Sequence, residues 1–294
     1  MRISIGPVLY LWARETLEDF YRQSLDSPAD IIYLGETVCS KRRSFRPDEW
    51  LELGRELMAA GKSVTLSTLT LIESRAEMGV IRRQCSNGEL QVEANDLAAA
   101  HLLAEQGLPF TAGPAINVYN AKTLKVLRRL GLSRWVMPFE LSRTDLEEIL
   151  NDAKKLGLRD GLEVEVFSYG RIPLAYSARC FTARHHNLPK DQCELICGQD
   201  PEGIPLLTQD EQPFLTINGI QTQSGRIYDL RSEWAEMQAL GVDIMRISPR
   251  PANTMQRVQE LHAAITQAQP LPAADPLSCN GYWYGNPGMD WQAV

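Results

Sequence analysis

A chain of 294 residues with 44% hydrophobic and 23% charged side chains has ordinary globular composition and is long enough to bury one core without disulfide staples. Its formal net charge of -7 runs against the basic face that nucleic-acid binders present, so no nucleic-acid partner is expected. No apolar run approaches the ~20 residues that a transmembrane segment needs. The opening Met1-Arg-Ile-Ser-Ile-Gly-Pro7 does not read as an export signal, so a cytoplasmic protein is expected.

Short β-rich apolar runs alternate with helical periodicities along the chain. Strands are predicted at residues 3–8, 31–35, 64–69, 90–94, 110–116, 135–140, 163–167 and 242–247. Between them lie amphipathic segments such as 47–60, 96–106, 121–130, 143–156 and 232–240. Gly61, Gly107, Gly131, Gly157 and Gly241 follow these helices and precede the next strands, the position where a helix ends most cheaply in a left-handed residue. Pro47 with Asp48 and Glu49, and Ser142 with Asp145 and Glu147, open two of the helices with groups that suit a positive N-terminus.

Alternating strands and helices imply a parallel sheet. Eight units permit closure into a (β/α)8 TIM-type barrel, and an open doubly wound sheet has the same local signature. The barrel is preferred, as one domain over 1–294. One interval breaks the rhythm: residues 168–231 separate the seventh and eighth strands, far more than such a connection needs. Its strand and turn signals, Leu215-Thr-Ile-Asn-Gly-Ile220 and Ser224-Gly225, predict a β-rich insertion. The tail at 270–294, rich in Pro, Gly, Trp and Tyr, is expected to wrap irregularly over the body.

Three of the six cysteines, Cys180, Cys193 and Cys197, fall inside the insertion, close enough for one loop to carry soft ligands to one centre. A fourth must come from elsewhere. Cys39 is best placed, on the loop leaving the second strand, which shares the C-terminal face of a parallel barrel with the loop after strand seven. Cys85 and Cys279 are expected to be plain buried thiols. Four thiolates suit a structural zinc or an iron–sulfur cluster; ligand type does not separate the two, and a lone distant cysteine completing a set of three favours the cluster only a little, with no metal as the third alternative. His185 and His186, in the same loop, are alternative ligands or exposed loop histidines.

The segment Glu165-Val-Phe-Ser-Tyr-Gly-Arg-Ile-Pro-Leu-Ala-Tyr-Ser-Ala-Arg-Cys180 resembles the signature of the collagenase-like peptidase family, a Glu-x-Phe-x-His-Gly stretch followed by cysteines. Within that family the sequence is similar to members that serve oxygen-independent ubiquinone biosynthesis beside a homologous sister subunit. The resemblance implies a 4Fe-4S cluster, with the family's cluster cysteines falling on Cys180, Cys193 and Cys197. Tyr169 stands where the family has His, and Pro173 where it has the first signature Cys. Cys39 can replace that ligand, and the same departures weaken any inference of peptidase activity.

The function so implied is anaerobic hydroxylation of a ubiquinone precursor as one half of a heterodimer, with the precursor or a lipid-carrier protein as a further partner. The alternatives are a collagenase-like peptidase and a structural-zinc scaffold. Residues predicted near strand C-termini, Asn117, Glu140, Glu165, Arg246 and Arg250, are candidates to hold an acidic or oxygenated ligand. Tyr169, Tyr282, Tyr284 and Trp291 are candidates to meet an isoprenoid tail or a partner protein, or else to cover a core edge.

Overall fold

The computed structural model describes residues 1–293. Seven parallel strands follow one another around a ring: β1 (Arg2–Ile5), β2 (Ile31–Leu34), β3 (Ser63–Ser67), β4 (Gln91–Ala94), β5 (Phe110–Ala112), β6 (Leu132–Val136) and β7 (Glu163–Gly170). Helices α1 (Arg14–Asp26), α2 (Pro47–Ala59), α3 (Arg75–Cys85), α4 (Leu97–Glu105), α5 (Ala121–Arg129) and α6 (Arg143–Lys155) connect them.

After β7 the chain builds the insertion. Strands β8 (Pro173–Tyr176), β9 (Ile204–Leu207), β10 (Pro213–Asn218) and β11 (Gln221–Ser224) form an antiparallel sheet in the order β8-β11-β10-β9, and the five-residue helix α7 (Phe181–His185) sits between β8 and β9. Strand β12 (Ile227–Asp229) returns antiparallel to the end of β7. Helix α8 (Trp234–Leu240) then leads into β13 (Ile244–Ile247), which pairs in parallel with both β7 and β1. That double pairing closes eight parallel strands into a barrel, the TIM topology, and rules out the open sheet. Helix α9 (Thr254–Gln267) completes the outer ring. The tail adds β14 (Ser278–Cys279) beside β12 and buries Trp283.

Prolines trim the predicted strands, because each lacks an N–H for the ladder. Pro7 follows the end of β1. Pro114 turns the end of β5 into a 3-10 turn, Pro114–Ile116. Pro138 lies beyond β6, which starts and stops earlier than the predicted 135–140. Strand β7 runs longer than predicted, to Gly170 at φ +129°, where a Cβ would lie 2.6 Å from that of Ser248; only glycine fits there.

Most of the apolar core lies between the strands and the helix ring, and Ile31, Tyr33 and Ile244 form a separate small cluster. Along a strand alternate residues share a face. Tyr33 and Arg246 therefore share faces with Ile31 and Ile244, and polar groups occupy a space that branched aliphatics usually fill. No helix among the described residues is long and apolar enough to cross a membrane.

Candidate metal centre and barrel mouth

Inside the barrel the strands bring together a connected set of charges. Arg246 donates from Nε to Glu165 Oε1 at 2.7 Å, its Nη1 lies 2.9 Å from Glu93 Oε1, and its guanidinium stacks 4.0 Å above the Tyr33 ring. Glu165 also accepts from Ser4 Oγ and Tyr33 Oη, each at 2.6 Å. Arg134 donates to Tyr33 Oη at 3.0 Å and to Glu163 Oε2 at 2.8 Å, while Ser67 and Asn95 donate to Glu93 Oε2.

Burial alone would raise the Glu165 carboxyl, but Arg246 and Arg134 pull it below the ordinary value. Burial pushes the Tyr33 phenol up, and the Glu165 charge pushes further in the same direction. Glu165 is thus a fully engaged carboxylate, suited to hold the barrel together rather than to move protons. Several buried atoms in this region have no hydrogen-bond partner, among them Arg246 Nη2, Glu93 Oε1, Thr37 Oγ1, Thr65 Oγ1 and Thr111 Oγ1.

At the C-terminal end of the strands lie four half-buried thiols. Cys39 is on the loop from β2 to α2. Cys180 precedes α7, its Sγ accepting from the Ala183 N–H at 3.4 Å. Cys193 ends the 3-10 turn Lys190–Gln192, and Cys197 lies in the next, Ile196–Gln199. Between them Glu194 and Leu195 both take positive φ, 49° and 56°, a local cost of order 1–3 kcal/mol each that marks an over-determined turn.

Side chains tie these loops together. Lys41 Nζ donates to the Lys190 carbonyl at 2.7 Å, joining the Cys39 loop to the Cys193 turn. Buried Arg42 donates to the Leu9 carbonyl at 2.7 Å and to Asn218 Oδ1 at 2.8 Å, so it anchors the same loop to β10.

The thiols feel one another. Burial raises Cys39, with Arg42 opposing it and Cys180 adding to it; burial also raises Cys197, with Arg42 opposing through charge and a hydrogen bond, and with Cys180 and Cys193 adding to it. All six cysteines are free, so no disulfide uses up a ligand. Among the described residues no three His, Cys, Asp or Glu side chains are gathered tightly enough for a single ion; four thiolates at the ~2.3 Å Zn–S distance would stand about 3.8 Å apart.

The other two thiols differ. Cys85 ends α3 and Cys279 lies in β14, both fully buried, and burial pushes them up to about 11 and about 12. His185 is exposed. His186 Nε2 lies 3.6 Å from Asp200 Oδ2, and the two histidine rings are 5.1 Å apart.

Between the charge network and the thiol loops runs a narrow cleft of about 30 Å³, lined among others by Thr37, Glu93, Asn95, Phe139, Phe167 and Arg246. Of the residues expected to line a pocket, Arg246 does so and Glu165 lies in the network behind it. Asn117 and Glu140 are not brought to the cleft: both are exposed, Asn117 closing a turn at φ 59° and Glu140 accepting from Tyr119 Oη at 3.0 Å. Arg250 pairs with Glu202 at 3.0 Å. Tyr169 is 3% exposed, with Arg231 and Arg257 stacked against its ring, so it is closed to a lipid tail, whereas Trp291 is 40% exposed. Sequence reasoning missed Thr37, Glu93 and Asn95. The one available signal was the charge inside Gln91-Val-Glu-Ala94, a strand otherwise fit for burial.

The Peptidase family U32 profile matches residues 15–268. The tRNA hydroxylation protein P of Escherichia coli (strain K12) is 31% identical over 80 residues, covering 27% of this chain and 16% of that protein. An uncharacterized protease of Methanocaldococcus jannaschii is 27% identical over 170 residues, covering 56% of this chain and 41% of that protein. The chain therefore matches less than half the length of either relative. A solved structure of the U32 peptidase Mk0906 aligns at 15% identity and a TM-score of 0.45 over 85% of this chain and 93% of that one. With the profile spanning all but the ends of the barrel, this chain belongs to peptidase family U32.

Proposed function

We propose that this chain holds a 4Fe-4S cluster on Cys39, Cys180, Cys193 and Cys197 and acts as a UbiV-type subunit, beside a homologous UbiU, in cytoplasmic O2-independent hydroxylation of ubiquinone precursors. The observation that carries the reading is four free, half-buried thiols on the loops at one end of the barrel, with Arg42 acting on two of them. Such a donor set fits the group, since the soft thiolates of one neighbourhood are what an iron–sulfur cluster requires.

A bound cluster supplies one-electron transfer. The protein's own groups do the rest. Arg42 places a buried positive charge beside Cys39 and Cys197, which favours their deprotonated, ligating forms and shifts the potential of whatever they hold. The cleft adjoins them, because Thr37 stands two residues before Cys39 and Tyr176 ends the strand leading to Cys180. Similarity to a tRNA hydroxylation protein supports a hydroxylation role within the family.

The test is co-expression of the chain with UbiU under anaerobic conditions. The pair is expected to co-purify and to hydroxylate a ubiquinone precursor, and replacement of Cys193 by Ala is expected to abolish hydroxylation while leaving the pair assembled. Peptide cleavage by the metal-free chain, or full hydroxylation by the C193A pair, contradicts the reading.

A further inference from the structure

Strands β7, β13 and β1 stand side by side in the barrel, and the loops that leave them carry Arg171, Arg250 and Tyr10. The first two loops touch, since a Cβ on Gly170 would lie 2.6 Å from that of Ser248. Ion pairing in this corner is incomplete. Arg250 donates from Nη2 to both carboxylate oxygens of Glu202, at 3.0 and 3.1 Å, whereas Arg171 spends Nη1 on the backbone carbonyls of Ser224 and Gly225. Among the described residues the other edge of Arg171, Nε with Nη2, takes no partner, and the Nε atoms of both arginines are buried and unpaired.

Two guanidinium groups against one carboxylate leave a positive charge uncompensated where solvent is scarce. Burial, reinforced by the Arg250 charge, holds Arg171 below its ordinary value against the opposing pull of Tyr10 and Glu202. Buried donors are almost always paired, so unpaired ones mark a place where a ligand atom or water completes the set. Helix α9 adds to the same field. It starts at Thr254 with no side chain capping its first N–H groups, and Thr254 Oγ1 accepts from the Arg250 N–H at 2.7 Å, so the positive end of a 14-residue helix abuts this loop.

Shape selects among anions. A carboxylate is planar and its two oxygens are satisfied by one guanidinium fork, while a phosphate that meets the Arg171 fork has oxygens left for a second donor. The loops after the seventh and eighth strands are also where barrels of this topology frequently hold phosphate. We propose that Arg171, through Nε and Nη2, and Arg250, through Nε, form a site for the phosphate group of a small ligand. Ser248 lies between this site and the cleft, but the proposal rests on neither the cleft nor the cysteines.

The test is calorimetric titration of the full-length, anaerobically purified chain with inorganic phosphate, methyl phosphate and acetate at constant ionic strength. Both phosphates are expected to bind at least roughly 10-fold more tightly than acetate. Arg171→Lys keeps the charge but lacks the fork, and is expected to weaken phosphate about 3–30-fold. Glu202→Gln, at a carboxylate 38% exposed, removes the opposing charge and is expected to tighten phosphate about 2–10-fold. A gain in affinity cannot come from a damaged fold, so this variant keeps the test decisive if R171K unfolds. Acetate binding as tightly as phosphate, no binding of either phosphate, R171K binding as the unmodified chain does, or E202Q binding no more tightly overturns the proposal. Tighter methyl phosphate supports a site for a phosphate ester, and tighter inorganic phosphate a site for the free anion.

Discussion

Two populations of thiol share this chain, and their surroundings differ in every respect that matters for chemistry. Cys85 and Cys279 sit on regular elements and are fully buried; burial dominates and pushes them up to about 11 and about 12, with Arg226 and Asp229 acting weakly and oppositely on Cys279. Cys39, Cys180, Cys193 and Cys197 sit on loops and short turns, half-buried, with Arg42 close to two of them. The first pair fills space as small apolar residues do. The second set lies beside positive-φ backbone at Glu194 and Leu195 and a buried guanidinium, Arg42, that also anchors the Cys39 loop. A cysteine's role in this fold follows from the element that carries it and the charges around it.

The sharpest way to break that comparison is to remove one thiol from each group. Cys193→Ala is expected to lose essentially all bound iron, and Cys85→Ala to retain it with only a modest fall in melting temperature; iron analysis and thermal unfolding read both. Equal iron loss in the two variants would erase the distinction.

Next in size is a change to the interior charges. Glu165→Ala leaves Arg246 and Arg134 short of a buried counter-charge, and breaking such a set costs about 3–5 kcal/mol, measurable by denaturant unfolding. Glu140→Ala, on the surface, is expected to stay within about 0.5 kcal/mol. Comparable losses would mean that the network contributes nothing special.

A smaller, kinetic contrast concerns reactivity, because the four mouth thiols are partly open to a reagent and the other two are buried. In the metal-free folded chain at pH 8, an alkylating reagent followed by mass spectrometry is expected to modify the four mouth cysteines and spare Cys85 and Cys279. Those two should react only after unfolding.

The least effect is expected from pH. Cys85 and Cys279 are raised in the folded state, so their contribution is full below the ordinary thiol value near 9.0 and is lost as pH rises toward about 11 and about 12. Glu165 has the opposite sign: its depressed value gives stability above about 4.5 that is lost as the pH falls through the folded-state value. Unfolding free energy against pH should bend at both ends, and Cys279→Ala should flatten the alkaline limb.

Strand and helix order could be read from the sequence because glycine-ended helices and apolar runs are local signals. Strand ends were less legible, and the error carried into the site. The strand before Asn117 was predicted to run to 116 and that before Glu140 to 140, but they stop at Ala112 and Val136. Both residues therefore ride outward on loops. The partners of Glu93 could not be read, since Ser67 and Arg246 meet it only through barrel closure. The face that carries the Cys39 loop was legible because strand direction alone fixes it.

The most direct measurement is metal and acid-labile sulfide analysis of the chain purified without oxygen, with Mössbauer spectra of an iron-57 sample. We expect about four iron and four sulfide per chain, lost together on exposure to air and absent when Cys39 and Cys193 are both replaced by Ala. One tightly held zinc per chain that is indifferent to air, or iron that persists in the double variant, contradicts the assignment.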